Sequence, residues 1–472
     1  MRILLPTGEV AYPVVKDAAD KFGADIVVSG QIAAFMTPKR LSAILTEKGN
    51  KYEMVIVSGM CTADFSGVEE EFGIPVYLGP RHAADLELVL RSVDSLELSR
   101  TIPADELMSS KKREEAFSKI REIEERSVPD FSIEGLRIGG SSGMKVLAEI
   151  MDAHKVTGLR EKVLAFIESG ADIIDLGFGF DAKPDDVKRV FKETADIKTV
   201  FAADTQDPEL IRAALGHANF ILSLHEENIP HVGREVAESG AAAVIVPNEN
   251  SLEENIRMAK AAGIEKIVAD PLLQPAGSGL IRSLAGFRDC GHPLFFGAGN
   301  VVELIDADSP GANALLAALA MEAGASIVFT SEHSDKTRGS VREMRRACDM
   351  MVLAANRPYP KDLGIDLFCI KEKRRRREPP LTYSTCDEAG EIHGEIEFDP
   401  AGNIRIGIED GFIVAVHKDR AVKGRKWEEI FNVLLKEDRV SLMDHAAYLG
   451  KELYKAELAL RFNRSFEQDG PF

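Results

Sequence analysis

A chain of 472 residues with 45% hydrophobic content is long enough for about three ordinary domains and apolar enough to give each a core. A formal charge of −19 argues against nonspecific nucleic-acid binding, which needs cationic surface, and no apolar run approaches the ~20 residues that span a bilayer. Five cysteines, Cys61, Cys290, Cys348, Cys369 and Cys386, are scattered without a CxxC pair, which speaks against a thiolate metal centre and for a reducing cytoplasm.

Residues 1–126 alternate short β-branched strands, at 3–5, 25–28, 54–58 and 75–78, with amphipathic stretches. This predicts a small parallel, Rossmann-like α/β domain. The opening apolar stretch is too short for a signal peptide and reads as the first strand. The strand ends Pro6-Thr7-Gly8, Ser29-Gly30-Gln31, Ser58-Gly59-Met60 and Gly79-Pro80-Arg81-His82 suit tight turns, and such ends also hold ligands in open sheets. A Lys/Arg/Glu-rich stretch at 103–125 has helical spacing and reads as a linker helix, broken by Ser127-Val128-Pro129-Asp130. Gly139-Gly140-Ser141-Ser142-Gly143 precedes a strand instead of following one, so it is not a phosphate loop.

From 134 to 370 the chain shows eight strand–helix repeats. The strands are expected at 146–151, 172–177, 199–203, 220–224, 242–246, 266–269, 294–297 and 326–329. Helices are expected between them, including 159–168, 208–215, 252–262 and 312–323. Starts about 20 to 30 residues apart leave room for parallel crossovers, and eight such units close most naturally into a barrel. A basic run, Lys371 to Arg377, followed by Pro379-Pro380, reads as a solvated linker. Residues 381–472 form a third unit, with a hairpin of strands 395–399 and 404–409, a further strand at 412–417 and a terminal helix at 441–462. The predicted fold is α/β: a central (β/α)8 TIM barrel with a small N-terminal parallel α/β domain and a C-terminal α+β domain.

Enzymes on this barrel carry their reacting groups at the C-terminal strand ends. Those ends hold Asp152, Asp175, Asp204, Ser223 with His225, Asp270, Asn300 and His333. One aspartate at a strand end commonly caps the next helix. Asp175, Asp204 and Asp270 together would instead line one bowl, at a cost in like-charge repulsion that a ligand must offset. A reduced pterin suits such a bowl, because its 2-amino group and ring N–H form a two-donor fork that a carboxylate accepts bidentately. His225-Glu226-Glu227-Asn228-Ile229-Pro230-His231 spaces its histidines six apart around a proline, unlike the zinc-binding HExxH helix, and no metal-ligand set is expected from it.

Gly170-Ala171-Asp172-Ile173-Ile174-Asp175-Leu176-Gly177 resembles the second-strand signature of dihydropteroate synthases. Ala203-Asp204-Thr205 resembles that family's third-strand "VDT", and Asp270-Pro271 its sixth-strand "DP". The whole chain resembles the dihydropteroate synthase-related proteins of organisms that use tetrahydromethanopterin, and Asp444–Leu453 resembles a small domain found on other C1-pathway proteins. The resemblance implies a pterin-binding protein with Asp152, Asp175, Asp204, Ser223, Asp270, Asn300, His333 and Arg338 around the substrate, and Asp204 and Asn300 in catalytic roles. The reduced pterin would serve as substrate or cofactor, with Mg2+ or an external corrinoid as the further cofactor.

The departures from that family are informative. Met151-Asp152-Ala153-His154 replaces its first-strand loop, Phe178 to Lys183 its Glu-Ser-Thr-Arg, and Phe329 its last arginine. A synthase must stabilise a departing pyrophosphate, and Lys183, Lys336, Arg338 and the 373–377 run are the cations left for this. An acceptor other than p-aminobenzoate is therefore expected. Gly297-Ala298-Gly299-Asn300 resembles instead the "GxSN" of pterin-dependent methyltransferases, in which an asparagine bonds near pterin N5. Three functions follow: a pterin transferase in tetrahydromethanopterin biosynthesis, a methyltransferase served by a separate corrinoid protein, and a non-catalytic pterin binder. A homodimer is the expected assembly, with no nucleic-acid or membrane partner.

Overall fold

The computed structural model describes residues 2–355, 360–361, 363–370, 381, 383–389 and 397–471; the basic run and most of the linker after it lie outside these. The described residues fall into two compact units, one comprising Met1–Ser331 with Ser340–Leu367, the other Glu332–Gly339 with Phe368–Phe472. Among them no helix is long and apolar enough to cross a membrane.

In the first unit, strands Ile3–Thr7, Asp25–Val28, Met54–Val57 and Val76–Leu78 form a parallel sheet, with Asp25–Val28 at one edge and Ile3–Thr7 beside Met54–Val57. The linker helix runs Ala104–Arg126 and stops before Pro129, as the sequence predicts.

Eight parallel strands then close into a barrel: Lys145–Ile150, Ile173–Gly177, Val200–Asp204, Phe220–Leu224, Ala242–Ile245, Ile267–Ala269, Leu294–Phe296 and Ala325–Ser331. The period of two divides each strand between two cores. Leu147, Ile173, Val200, Phe220, Val244, Val268, Phe295 and Ile327 pack inside the barrel, while Val146, Ala148, Ile174, Ala203 and Ile245 face the surrounding helices. Local chemistry starts those helices where they are needed. Asp207 accepts hydrogen bonds from the Glu209 and Leu210 amides at the head of Pro208–Ala214, and Ser251 with Glu254 forms a capping box on Leu252–Ala261.

An antiparallel hairpin, Phe131–Ile133 with Leu136–Ile138, packs Ile133 and Ile138 into the inner core. Its two-residue turn is Glu134-Gly135, with φ of 46° and 82°. The hairpin is absent from the sequence reading, because Glu-Gly is a weaker turn signal than Asn-Gly or Asp-Gly.

The second unit contains an antiparallel sheet of Ile404–Glu409, Phe412–His417 and Arg420–Gly424, covered by helices Trp427–Lys436 and Met443–Arg461. One expectation is corrected here. The hairpin joins 404–409 to 412–417 through Asp410-Gly411 (φ 49° and 73°), and residues 397–399 are not a strand. Residues 395–396 of the expected strand lie outside the described residues. Asp399 is turned to another use: its carboxylate accepts from the Ala401, Ser441 and Leu442 amides and bonds His445 at 2.8 Å.

Candidate functional site

The inward side chains change character toward the C-terminal ends of the first three barrel strands. Leu147 is followed two residues on by Glu149, Ile173 by Asp175, and Val200 by Ala202 and then Asp204. Glu149 and Asp175 are register partners on adjacent strands, and Asp204 is opposite Gly177 on the next. The three carboxylates therefore meet, one oxygen of each within 4.8 Å of the others. Asp175 is wholly buried, and neither of its oxygens has a hydrogen-bond partner among the described residues. Asp204 accepts a 2.8 Å bond from the Ser223 hydroxyl. A side chain at Gly177 would press on the Glu149 carboxylate, its Cβ only 3.3 Å from Oε1.

Asp270 continues the inward parity of Val268 on the sixth strand. It is buried, with Oδ1 accepting a 2.8 Å bond from the Leu272 amide. Burial acts on all four carboxyls, and like charge adds to it at Glu149, Asp175 and Asp270. Burial, then the charges of Asp204 and Glu303, push Glu149 up to about 7. Burial, then the charges of Asp204 and Glu149, raise Asp175 well above the ordinary range. Burial raises Asp204 against the lowering bond from Ser223. Asp270 is pushed up to about 7, mainly by burial, with the Leu272 amide lowering it and Asp204 raising it.

Backbone strain gathers at the same rim. Asp152, Ser223 and Leu272, just past or at strand ends, hold left-handed φ of 48°, 63° and 64°, a conformation that costs a non-glycine residue about 1–3 kcal/mol and clusters at functional sites. A depression of about 560 Å³ opens above the first three strands, lined by Glu149, Asp152, Phe178, Phe180, Asp204 and Thr205 among others.

The sequence-predicted residues divide accordingly. Asp175, Asp204, Ser223 and Asp270 are brought together. Asp152 lines the same depression, but its carboxylate lies 3.3 Å from Lys155, which also reaches Asp181 at 2.9 Å. Asn300 is exposed in the short helix Gly299–Val302, beyond its N-cap Ala298. It therefore does not cap that helix, and its amide lies over Gly297, where a Cβ would be 2.8 Å from Nδ2. Phe329 takes the inward position on the last strand, its ring tilted 37° to that of Phe295 with centroids 6.0 Å apart. His333 and Arg338 are exposed and belong to the second unit. Lys183 is exposed at the head of Pro184–Glu193, and the 373–377 run is outside the described residues. His225 is buried and locally bonded, its amide to Asn228 and its Nδ1 accepting from the Glu227 amide.

Glu149 is the residue that strand-end reading misses. It lies inside the strand, before its last residue Ile150, and only inward parity with Leu147 marks it. A second group, Asp152, His154 and Asp181, is likewise dense enough to hold a cation, though Lys155 already neutralises its carboxylates.

Comparison with known proteins adds to this geometry. Residues 398–469 match the family described as PterinBD-DUF4346. The chain is 36% identical, over 99% of its own length and 98% of the other's, to "Uncharacterized protein MJ0107" of Methanocaldococcus jannaschii. It is also similar to the solved dihydropteroate synthase of Xanthomonas albilineans with 4-aminobenzoic acid, at 20% identity and TM-score 0.38, covering 46% of this chain and 95% of that one. For the 7,8-dihydropteroate synthase of Vibrio fischeri the values are 15% and 0.39, over 46% and 95%. For the dihydropteroate synthase of Thermus thermophilus they are 21% and 0.36, over 44% and 92%.

Proposed function

This chain belongs to one family with the MJ0107 protein of Methanocaldococcus jannaschii, and on that premise we propose that it is a pterin-binding transferase acting on a reduced pterin. Its dihydropteroate synthase-like character is carried by the closed eight-stranded barrel, the three strand-end motifs and the PterinBD-DUF4346 match. The observation behind the substrate is the pair Asp204 and Asp270. Both are inward carboxylates near enough for one charge to raise the other's pKa, at a mouth whose backbone is strained around them. A ring presenting two parallel N–H donors satisfies one carboxylate bidentately and leaves the second for the opposite edge. Ser223 fixes which oxygen of Asp204 remains for the ligand.

The reaction we favour joins the pterin's exocyclic methylene to an aryl amine. The C–N bond forms as pyrophosphate leaves and the amine gives up a proton. The acceptor is larger than p-aminobenzoate and the setting is tetrahydromethanopterin biosynthesis. Support comes from the seventh- and eighth-strand ends, where Gly297 to Asn300 and the inward Phe329 stand in place of a basic acceptor clamp. A second reading, methyl transfer from a methyl-pterin to a corrinoid carried by another protein, draws on Asn300, whose exposed amide is not spent on capping.

Two incubations of the intact protein decide between them: a dihydropterin diphosphate with a panel of aryl amines, and methyl-tetrahydromethanopterin with cob(I)alamin. The first reading expects an aryl-pterin product and release of pyrophosphate only in the first mixture. Turnover only in the second mixture transfers the assignment to methyl transfer. Pterin binding without turnover in either makes the protein a non-catalytic binder.

A further inference from the structure

We propose that Glu149, Asp175 and Asp204 bind one divalent cation of the hard, oxygen-preferring class, Mg2+ or Mn2+, at the floor of the barrel mouth. The site shares Asp204 with the carboxylate pair proposed for the pterin and Asp175 with the wider set that the family resemblance places around the substrate; Glu149 is its own. The inference stands without the pterin reading.

The strand register builds the site. Glu149 and Asp175 are side by side, and Asp204 comes in from the third strand opposite Gly177. One oxygen from each lies within 4.8 Å of the other two. Two oxygens bound to one Mg2+ at about 2.0–2.1 Å stand at most about 4.0–4.2 Å apart, so the three close on an ion after side-chain shifts of under about 1 Å. Carboxylate ligands alone, with water completing the shell, select magnesium or manganese over zinc, which prefers nitrogen and sulfur.

Asp175 supplies the independent sign that something binds here. It is wholly buried at the head of the cluster, and neither oxygen has a hydrogen-bond partner among the described residues. Its neighbours are better served: Asp204 has the Ser223 hydroxyl, and Asp270 the Leu272 amide. Among the described residues no lysine or arginine is ion-paired to any of the three; Lys162 acts on Glu149 only through its field. Three carboxyls packed this closely, one wholly buried and two half-buried, are relieved by either protons or a cation. A metal satisfies all three at once, whereas one shared proton bridges only two.

The test uses the intact chain, stripped of metal with EDTA and dialysed at pH 8, with no pterin present. Mn2+ is titrated and its free signal followed by electron paramagnetic resonance, with Mg2+ as competitor. The expected result is one Mn2+ per chain, displaced by Mg2+. Asp175→Asn and Glu149→Gln should each weaken it by more than about tenfold, since even groups that only orient a ligand are worth that much. Asp181→Asn, in the neighbouring acidic group, should leave it unchanged. Both neutralising variants remove repulsion, so they should melt no lower than the metal-free parent. Glu149→Asp keeps the charge on a shorter arm and should also weaken the ion. Absence of stoichiometric Mn2+ binding by the parent overturns the proposal whatever the variants do. So does binding that survives in Asp175→Asn and Glu149→Gln, or that is lost only in Asp181→Asn.

Discussion

In the proposed function, pterin recognition turns on Asp204 and Asp270, and each is asked for a charge-assisted hydrogen bond. Asp204→Asn and Asp270→Asn should each weaken binding of a reduced pterin by ~1.5–3 kcal/mol in calorimetry; unchanged affinity in both would remove the pocket assignment. Glu149 makes a prediction of opposite sign, on stability. Its folded pKa is raised to about 7, so the penalty of ionising it is absent below the unfolded value near 4.5. That penalty grows as pH rises toward 7 and is complete above it. Glu149→Gln should therefore stabilise the metal-free protein by about 3 kcal/mol at pH 8 and by little at pH 4, read from urea unfolding. Equal effects at both pH values would mean that Glu149 is not held protonated. The aspartates were legible because each lies at the end of an apolar strand, Asp204 and Asp270 just before Thr205 and Pro271 and Asp175 two residues before Gly177. Glu149 was not, because an acid inside a short strand looks the same in sequence whether it faces a helix or the barrel axis.

At the level of elements, the barrel strands were readable to within about two residues because each couples an apolar run to a turn. Hairpins were less so. Pro400-Ala401-Gly402-Asn403 has hairpin composition, yet the true two-residue turn is Asp410-Gly411, and Asp399 is drawn off to the amides of Ser441 and Leu442 near the start of Met443–Arg461. The loop after the seventh strand depends on a missing side chain. A Cβ at Gly299 would sit 2.5 Å from the Phe329 ring, so Gly299→Ala should cost about 1–3 kcal/mol in thermal unfolding. An unchanged melting temperature would show that Phe329 moves aside freely. At the end of the fourth strand, Ser223 lowers the pKa of Asp204 through its hydroxyl. Ser223→Ala should shift the pH midpoint of pterin binding upward, because Asp204 then needs a higher pH to ionise. A midpoint that stays put would detach Ser223 from the site.

Across the whole molecule, a chain with a net charge of −19 concentrates a share of its acid groups at one end of a barrel, where they oppose folding unless a ligand is present. The second unit uses an acid in the opposite sense. Hydrogen bonds from Ser441, His445 and Ala401 hold Asp399 far below the usual carboxylate range in spite of burial, so its support is present above pH 4 and lost as the pH falls further. Asp399→Ala should speed amide exchange at Ile413, Leu434 and Leu453, the core beneath it, with exchange unaltered at Ile174 in the barrel; protection kept at all three would deny Asp399 its role. The fold class was legible from the repeat of strands and helices, whereas the chemistry rests on which side chains point inward, a property of closure that no single segment displays. The most direct trial is a crystal of the intact protein soaked with a reduced pterin. The ring should lie in the barrel mouth with its amino edge against Asp204 or Asp270 and its far side facing Glu149. Density for the pterin anywhere else, with those carboxylates untouched, would contradict the account.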